Sequence, residues 1–256
     1  MRVLYQFPLS HYCEKARWLL DHKELDYVAQ NMTPGVHRLF VQIKTGQHRL
    51  PMLNDQKNWI ADSTDIAIYL DEKYPEHALF RSDAELNKQI MEIDTLSQEL
   101  GDHVRRWLFS FILTQPQKNQ ALDIILGEKG ILRNFEKLSV PTLKFALKRI
   151  HQVSPEKSIS SKQRIDEILN KLNQLLVENG GRYLVGDRLT LADVAVCSMI
   201  APLILIDNTP WGITDYSEIH PDVLSYRENL LALPIGQYVK RIYSTERNAR
   251  VDWRGV

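Results

Sequence analysis

Cysteine is scarce in this chain, with only Cys13 and Cys197 among 256 residues. Two thiols cannot make a disulfide framework, and the Cys/His spacing of a structural zinc site is absent, so no metal is expected. Net charge is missing as well. Thirty-two Lys plus Arg offset thirty-two Asp plus Glu, leaving no global positive field to hold nucleic acid or an anionic membrane. Long apolar runs are missing too. The longest uncharged one, Val194 to Ile206, is too short to span a bilayer and contains Pro202. The opening MRVLYQF meets His11, Glu14, Lys15 and Arg17 before a signal-peptide stretch can build. The expectation is a cytoplasmic protein with no nucleic-acid or membrane partner.

What is present is ordinary globular composition, 44% hydrophobic and 25% charged, in a chain long enough for one large or two modest domains. The two parts of the sequence differ in period. Arg2 to Phe7 is an apolar, aromatic-rich strand candidate, and Tyr12 to His22 follows with Ala16, Leu19 and Leu20 at helical spacing. Leu25 to Gln30 reads as a second strand, and Val36 to Ile43 as a short helix or irregular segment stopped at Thr45-Gly46. Leu50 to Asn54 and Asn58 to Ala61 form two strands about a polar turn, and Ile66, Ala67, Tyr69 and Leu70 make a helix ending before Pro75. The order β-α-β-α-β-β-α implies a small mixed sheet, with a parallel pair first and an antiparallel pair later.

After a linker from Pro75 to Arg81, everything looks helical. Ser82-Asp83-Ala84-Glu85 has the pattern of a capping box opening a long helix to about Thr114. Gln117 to Gln152 is mostly helical, broken by Gly127, Gly130 and Pro141, and Ser154 to Ser161 reads as a polar loop. Ile165, Ile168, Leu169, Leu172, Leu175 and Leu176 make an amphipathic stripe. A second capping box, Thr190-Leu191-Ala192-Asp193, opens a core helix, and Pro221 and Ile235 mark the last two. The tail after Thr245 reads as polar and mobile.

Chemistry is expected in Ser10-His11-Tyr12-Cys13, where a strand gives way to a helix. Unpaired N–H groups at a helix start carry partial positive charge and stabilise a thiolate. Ser10 can hold a bound thiol as thiolate, or Cys13 can itself react. Taken alone, a serine before a helix is more often just an N-cap, and a lone cysteine one turn into an apolar helix is more often packing than chemistry. Leu50-Pro51 places a proline at a strand start, where it lacks an N–H for the ladder. Asp62-Ser63 lies between a strand and a helix and suits a ligand carboxylate or ammonium, unless it only caps.

Together these residues resemble the glutathione S-transferase family. The resemblance implies an α/β thioredoxin-like N-terminal domain (1–76), an all-α helical domain (83–245) carrying the electrophile site, and a tail (246–256). Ser10 to Leu20 looks like the family's first loop and helix, Leu50-Pro51 like its cis-proline motif, and Asp62-Ser63 like its γ-glutamyl motif. Gly186 to Asp193 looks like its capping box. By that likeness Ser10 is the activating hydroxyl. Gln6 holds the place where tyrosine-type relatives carry their phenol, and Tyr5 and Tyr12 are lesser substitutes. Ser63 and Asp62 meet the γ-glutamyl group, Leu50 the cysteinyl backbone, and His48 or Arg49 the glycyl carboxylate.

The implied activity is transfer of glutathione, as co-substrate, to a small hydrophobic electrophile by a homodimer. Arg105, Arg106, Trp107 and Phe109 to Phe111 are the expected electrophile wall. A glutathione-dependent oxidoreductase or isomerase using Cys13, and a non-catalytic glutathione-binding protein, are the alternatives. The stretch from Gln117 to Ser161 is longer than a compact transferase needs.

Overall fold

The computed structural model describes residues 1–114, 120–127, 134, 136–212 and 216–256. Strand β1 (Arg2–Gln6) leads into α1 (His11–His22), β2 (Tyr27–Asn31) and α2 (His37–Thr45). Strands β3 (Met52–Asp55) and β4 (Asn58–Ala61) follow, then α3 (Ser63–Lys73). The sheet order is β2-β1-β3-β4. β1 and β2 pair in parallel, whereas β1–β3 and β3–β4 are antiparallel. This is the mixed sheet that the alternation of periods implied.

The helical part begins with α4 (Ala84–Ile112) and continues through α5 (Gln120–Leu126), α6 (Glu136–Ile150) and α7 (Pro155–Glu178). Then come α8 (Leu191–Ile204), α9 (Pro221–Leu231) and α10 (Pro234–Thr245). Every residue of α8 is buried, and it packs on α1, α4, α9 and α10. A helix apolar all round can only be a core helix in water. Asp193 anchors its start: the carboxylate accepts from the Thr190 N–H (2.7 Å), the Leu184 N–H (2.7 Å) and the Tyr238 hydroxyl (2.5 Å).

Four expectations differ from the structure. The long helix α4 is capped by Asp83, not Ser82, because the Asp83 carboxylate accepts from the N–H groups of Glu85 and Leu86. Ser154 to Ser161 is the start of α7, with Ser154 as N-cap and Pro155 at the first turn, where a missing N–H costs nothing. Pro141 lies inside α6 and does not divide it. Gly130 lies outside the described residues.

The tail is the fourth. It is laid along β2, where the Asn31 N–H donates to the Val256 carbonyl (2.7 Å) and the Val256 N–H to Ala29 (2.8 Å). Gly255 sits so close that a Cβ would lie 2.5 Å from the Ala29 carbonyl oxygen, which excludes any larger residue there without movement. Arg247, at the head of the tail, reaches Glu14 (2.8 Å) and Asp21 (2.7 Å) on α1.

Candidate functional site

Strand register gathers the expected residues. Tyr5 stands opposite Met52, and Met52 opposite Ala61. The end of β1, the start of β3 and the end of β4 therefore coincide at one edge. The chain leaves that edge as the Phe7–Ser10 turn, arrives through Leu50-Pro51, and departs through Asp62-Ser63. All of these line one cleft of about 2400 Å³, together with His48, Arg49 and Tyr12. That exceeds the ~300–1,000 Å³ typical of a site for one drug-sized ligand, so more than one small molecule fits.

Ser10 has extended backbone and caps α1; its Oγ accepts from the Cys13 N–H at 3.4 Å. That is long for a hydrogen bond, and an oxygen accepting in this way keeps its own hydrogen to donate. The single hydrogen of the Tyr12 hydroxyl has two acceptors on α4, the Gln98 carbonyl (2.8 Å) and, farther off, Asp102 (3.1 Å). Burial pushes its phenol well above the ordinary tyrosine range. Tyr12 is therefore a wall of the cleft tied to the helical part, and no source of a proton near neutrality.

Cys13 does not join them. It is fully buried, its sulfur accepts from the Phe7 N–H (3.4 Å), and it is not among the cleft residues. Burial pushes its thiol up, outweighing the Phe7 amide, Arg17 and Ser10, which favour the thiolate. Cys13 is in phase with Ala16 and Leu20 on a helix buried on nearly every side, so its sulfur meets packed protein and not the cleft. Gln6 is equally closed off, with Arg17 bonded to its carbonyl oxygen and its amide donating to Trp253 (3.0 Å) and Asn31 (3.1 Å).

The Leu50–Pro51 peptide is cis. The Asp62 N–H donates to the Pro51 carbonyl at 3.3 Å, and the Asp62 carboxylate caps α3 by accepting from Thr64 (2.8 Å). Asp62 holds φ 79°, ψ 135°, a conformation costing a residue with a Cβ on the order of 1–3 kcal/mol. Such strain turns the helix start, with Ser63 at its first position, toward the cleft.

Other residues entered the site unannounced. Behind the start of α3, Lys15 and Asp94 form an ion pair at 2.5 Å with both side chains fully buried. Thr64 is bonded to both, and Gln98 donates to Thr64 (3.0 Å). Asp94 was visible as a carboxylate on the face carrying Ile90, Ile93 and Ser97, where only a paired charge is tolerated. Next to Tyr12, burial and then the Arg105 charge lower His11 to about 3 and His151 to about 4. His37 and Arg38, opening α2, also line the cleft.

Among the described residues no group of His, Cys, Asp and Glu is placed to hold a metal ion. No helix there is long and apolar enough to cross a membrane.

Two family models match: the glutathione S-transferase N-terminal domain over residues 4–78, and the C-terminal domain over residues 142–241. The chain is similar to glutathione S-transferase 1 of Dianthus caryophyllus, 29% identical over 82% of this chain and 79% of that protein. It is also similar to a zeta-class glutathione S-transferase of Euphorbia esula, 29% identical over 75% of this chain and 71% of the relative. Among solved structures, a Methylobacterium radiotolerans glutathione S-transferase in complex with glutathione sulfonate matches 92% of both chains at 20% identity, with a TM-score of 0.57. With both halves matched by family models in order, and the mixed sheet followed by helices as the fold, this chain belongs to the glutathione S-transferase family.

Proposed function

We propose that this chain binds glutathione along the edge from Ser10 to Ser63 and transfers it to a small electrophile, with Ser10 as the activating hydroxyl. The observation that carries this reading is the placement of Ser10 at the open start of α1, its oxygen weakly engaged and its hydrogen free to turn into the cleft. A free thiol has a pKa of about 8.5, and lowering it by about two units takes about 2.7 kcal/mol of preferential thiolate stabilisation. One hydrogen bond to a charged sulfur contributes roughly 1.5–3 kcal/mol and a helix start roughly 0.3–1 kcal/mol. The sum suffices. The thiolate sulfur attacks the electrophilic carbon, the S–C bond forms, and the leaving group departs with its bonding pair.

In this reading the γ-glutamyl carboxylate takes the N–H groups and hydroxyl at Ser63, and its ammonium takes Asp62. The Leu50 backbone pairs with the cysteinyl backbone beside Pro51, and exposed His48 and Arg49 meet the glycyl carboxylate. A homodimer in the cytoplasm completes the proposal, checked by light scattering and fractionation. The buried, upward-shifted Cys13 is poorly suited to thiol exchange, so its substitution should leave turnover intact.

The test is conjugation of glutathione to 1-chloro-2,4-dinitrobenzene by the unaltered protein, Ser10→Ala and Cys13→Ala. Loss of one charge-assisted hydrogen bond slows Ser10→Ala by roughly 10- to 100-fold, whereas Cys13→Ala stays within about twofold. A Ser10→Ala protein as fast as the original would remove Ser10 from the mechanism.

A further inference from the structure

The cleft wall facing the turn carries more positive charge than it uses. Arg105 on α4 lies with its guanidinium carbon 5.4 Å from the centre of the Tyr12 ring, two residues from Ser10. It pairs with Asp102, whose carboxylate also accepts from the Tyr12 hydroxyl. Arg106 donates to the His151 carbonyl (3.1 Å) and to Ser161 (3.0 Å), neither of them an anion. Arg49, on the loop before β3, lines the same cleft but is the cation proposed above for the glycyl carboxylate.

Among the described residues of this wall, the guanidiniums of Arg105 and Arg106 stand beside one carboxylate, Asp102, while Asp62 across the cleft caps α3 and Asp252 pairs with Arg254. Glu99, one turn back on α4, is taken up by Arg164 at 2.7 Å. Asp123 and Glu218, which also line the cleft, have contacts of their own. With their pKa values lowered by burial and Arg105, His11 and His151 add no charge at pH 7. Among the described residues, the buried Nε of Arg105 has no hydrogen-bond partner. Excess guanidinium with a spare donor, in a partly desolvated cleft, favours a carboxylate-sized anion. The cleft also carries apolar side chains along α4, Leu108, Phe109 and Phe111.

We propose that the second substrate is an amphiphile with an apolar body and one acidic group, and that Arg105, with Arg106 beside it on the same helix, binds that acid. This rests on the glutathione reading above and narrows it: the sequence pointed to a hydrophobic electrophile, and the cleft adds an anion to it. Arg105 is here a specificity-determining residue.

Product analogues test this without needing turnover. Calorimetry compares S-(4-carboxybenzyl)glutathione with S-(4-carbamoylbenzyl)glutathione, which differ only in the charge at the far end of the ring. At low salt the carboxylate should bind about tenfold tighter, and added salt should shrink the ratio. In Arg105→Gln the ratio falls to near one; Arg105→Lys, which keeps a charge on the same helix, restores part of it. A ratio near one in the unaltered protein, or a full ratio surviving in Arg105→Gln, would overturn the inference. So would Arg105→Gln weakening free glutathione and both conjugates alike, because Arg105 would then serve glutathione's own carboxylates. If free glutathione and the carbamoyl conjugate both fail to bind, the glutathione reading itself is wrong and this inference falls with it.

Discussion

Along its buried length, helix α1 carries Glu14, Lys15 and Arg17, all almost wholly buried and each matched to a partner of opposite sign. At its N-terminal rim, beside Tyr12, the neighbouring cations among the described residues are Arg105 and Arg106, and one carboxylate, Asp102, stands with them. The first region holds its ions out of bulk water, whereas the second leaves Arg105 and Asp102 partly exposed. Buried charges with complete partners fix where α1, α3, α4 and the tail sit. Charges left over beside an opening are available to a ligand. The difference separates architecture from recognition within one helix.

The sealed side should break hardest. Asp94→Ala leaves the Lys15 ammonium buried and unpaired, and a loss of roughly 3–5 kcal/mol is expected in urea unfolding. A loss below about 1 kcal/mol would mean that water or another group reaches Lys15.

Glu14 sharpens the same side through pH. Burial raises its carboxyl, but Arg247 and Arg17 outweigh burial and hold it at about 2, against an ordinary 4.5. A folded pKa below the unfolded one gives stability that is complete above about pH 4.5 and lost as pH falls toward 2, at most about 3 kcal/mol. The stability gap between the unaltered protein and Glu14→Gln should therefore be widest at neutral pH and narrow steadily below pH 4.5. A gap that widens in acid would reverse the assignment.

At the rim the effects are smaller. Tyr12→Phe removes the bond to the Gln98 carbonyl and should cost about 0.5–1.5 kcal/mol of stability, leaving the thiol of bound glutathione unmoved. Smallest is the response of His151. Burial lowers it most and Arg105 next, so Arg105→Gln should raise it from about 4, still short of 6.5, as followed by NMR of the imidazole protons. An unmoved His151 would place Arg105 outside this corner.

Periodicity made the strand and helix order legible, because period-2 and period-3.6 burial are local. The Ser10, Pro51 and Ser63 positions were legible because turn and cap chemistry is local too. What escaped depends on contacts distant in sequence. Nothing near Trp253 or Gly255 announces that Gln6 and Ala29, some 225 residues and more away, will hold the tail in place. The start of α7 was written in Ser154-Pro155, an N-cap followed by proline, and was masked by a run of polar residues that the helix carries on its exposed side. The orientation of Cys13 was legible in its phase with Ala16 and Leu20, once packing was allowed to outweigh reactivity. Arg105 and Arg106 were legible as part of the wall facing the turn, but their neighbours were not, because only tertiary structure brings Tyr12 and His151 against them.

The central claim is that the Ser10 corner keeps a bound sulfur ionised. Ultraviolet titration of the thiolate absorbance of glutathione on the protein measures this directly. The expected midpoint lies about two units below the free thiol's, and Ser10→Ala should return most of that difference. A midpoint equal to that of free glutathione, or one unchanged in Ser10→Ala, would contradict the account.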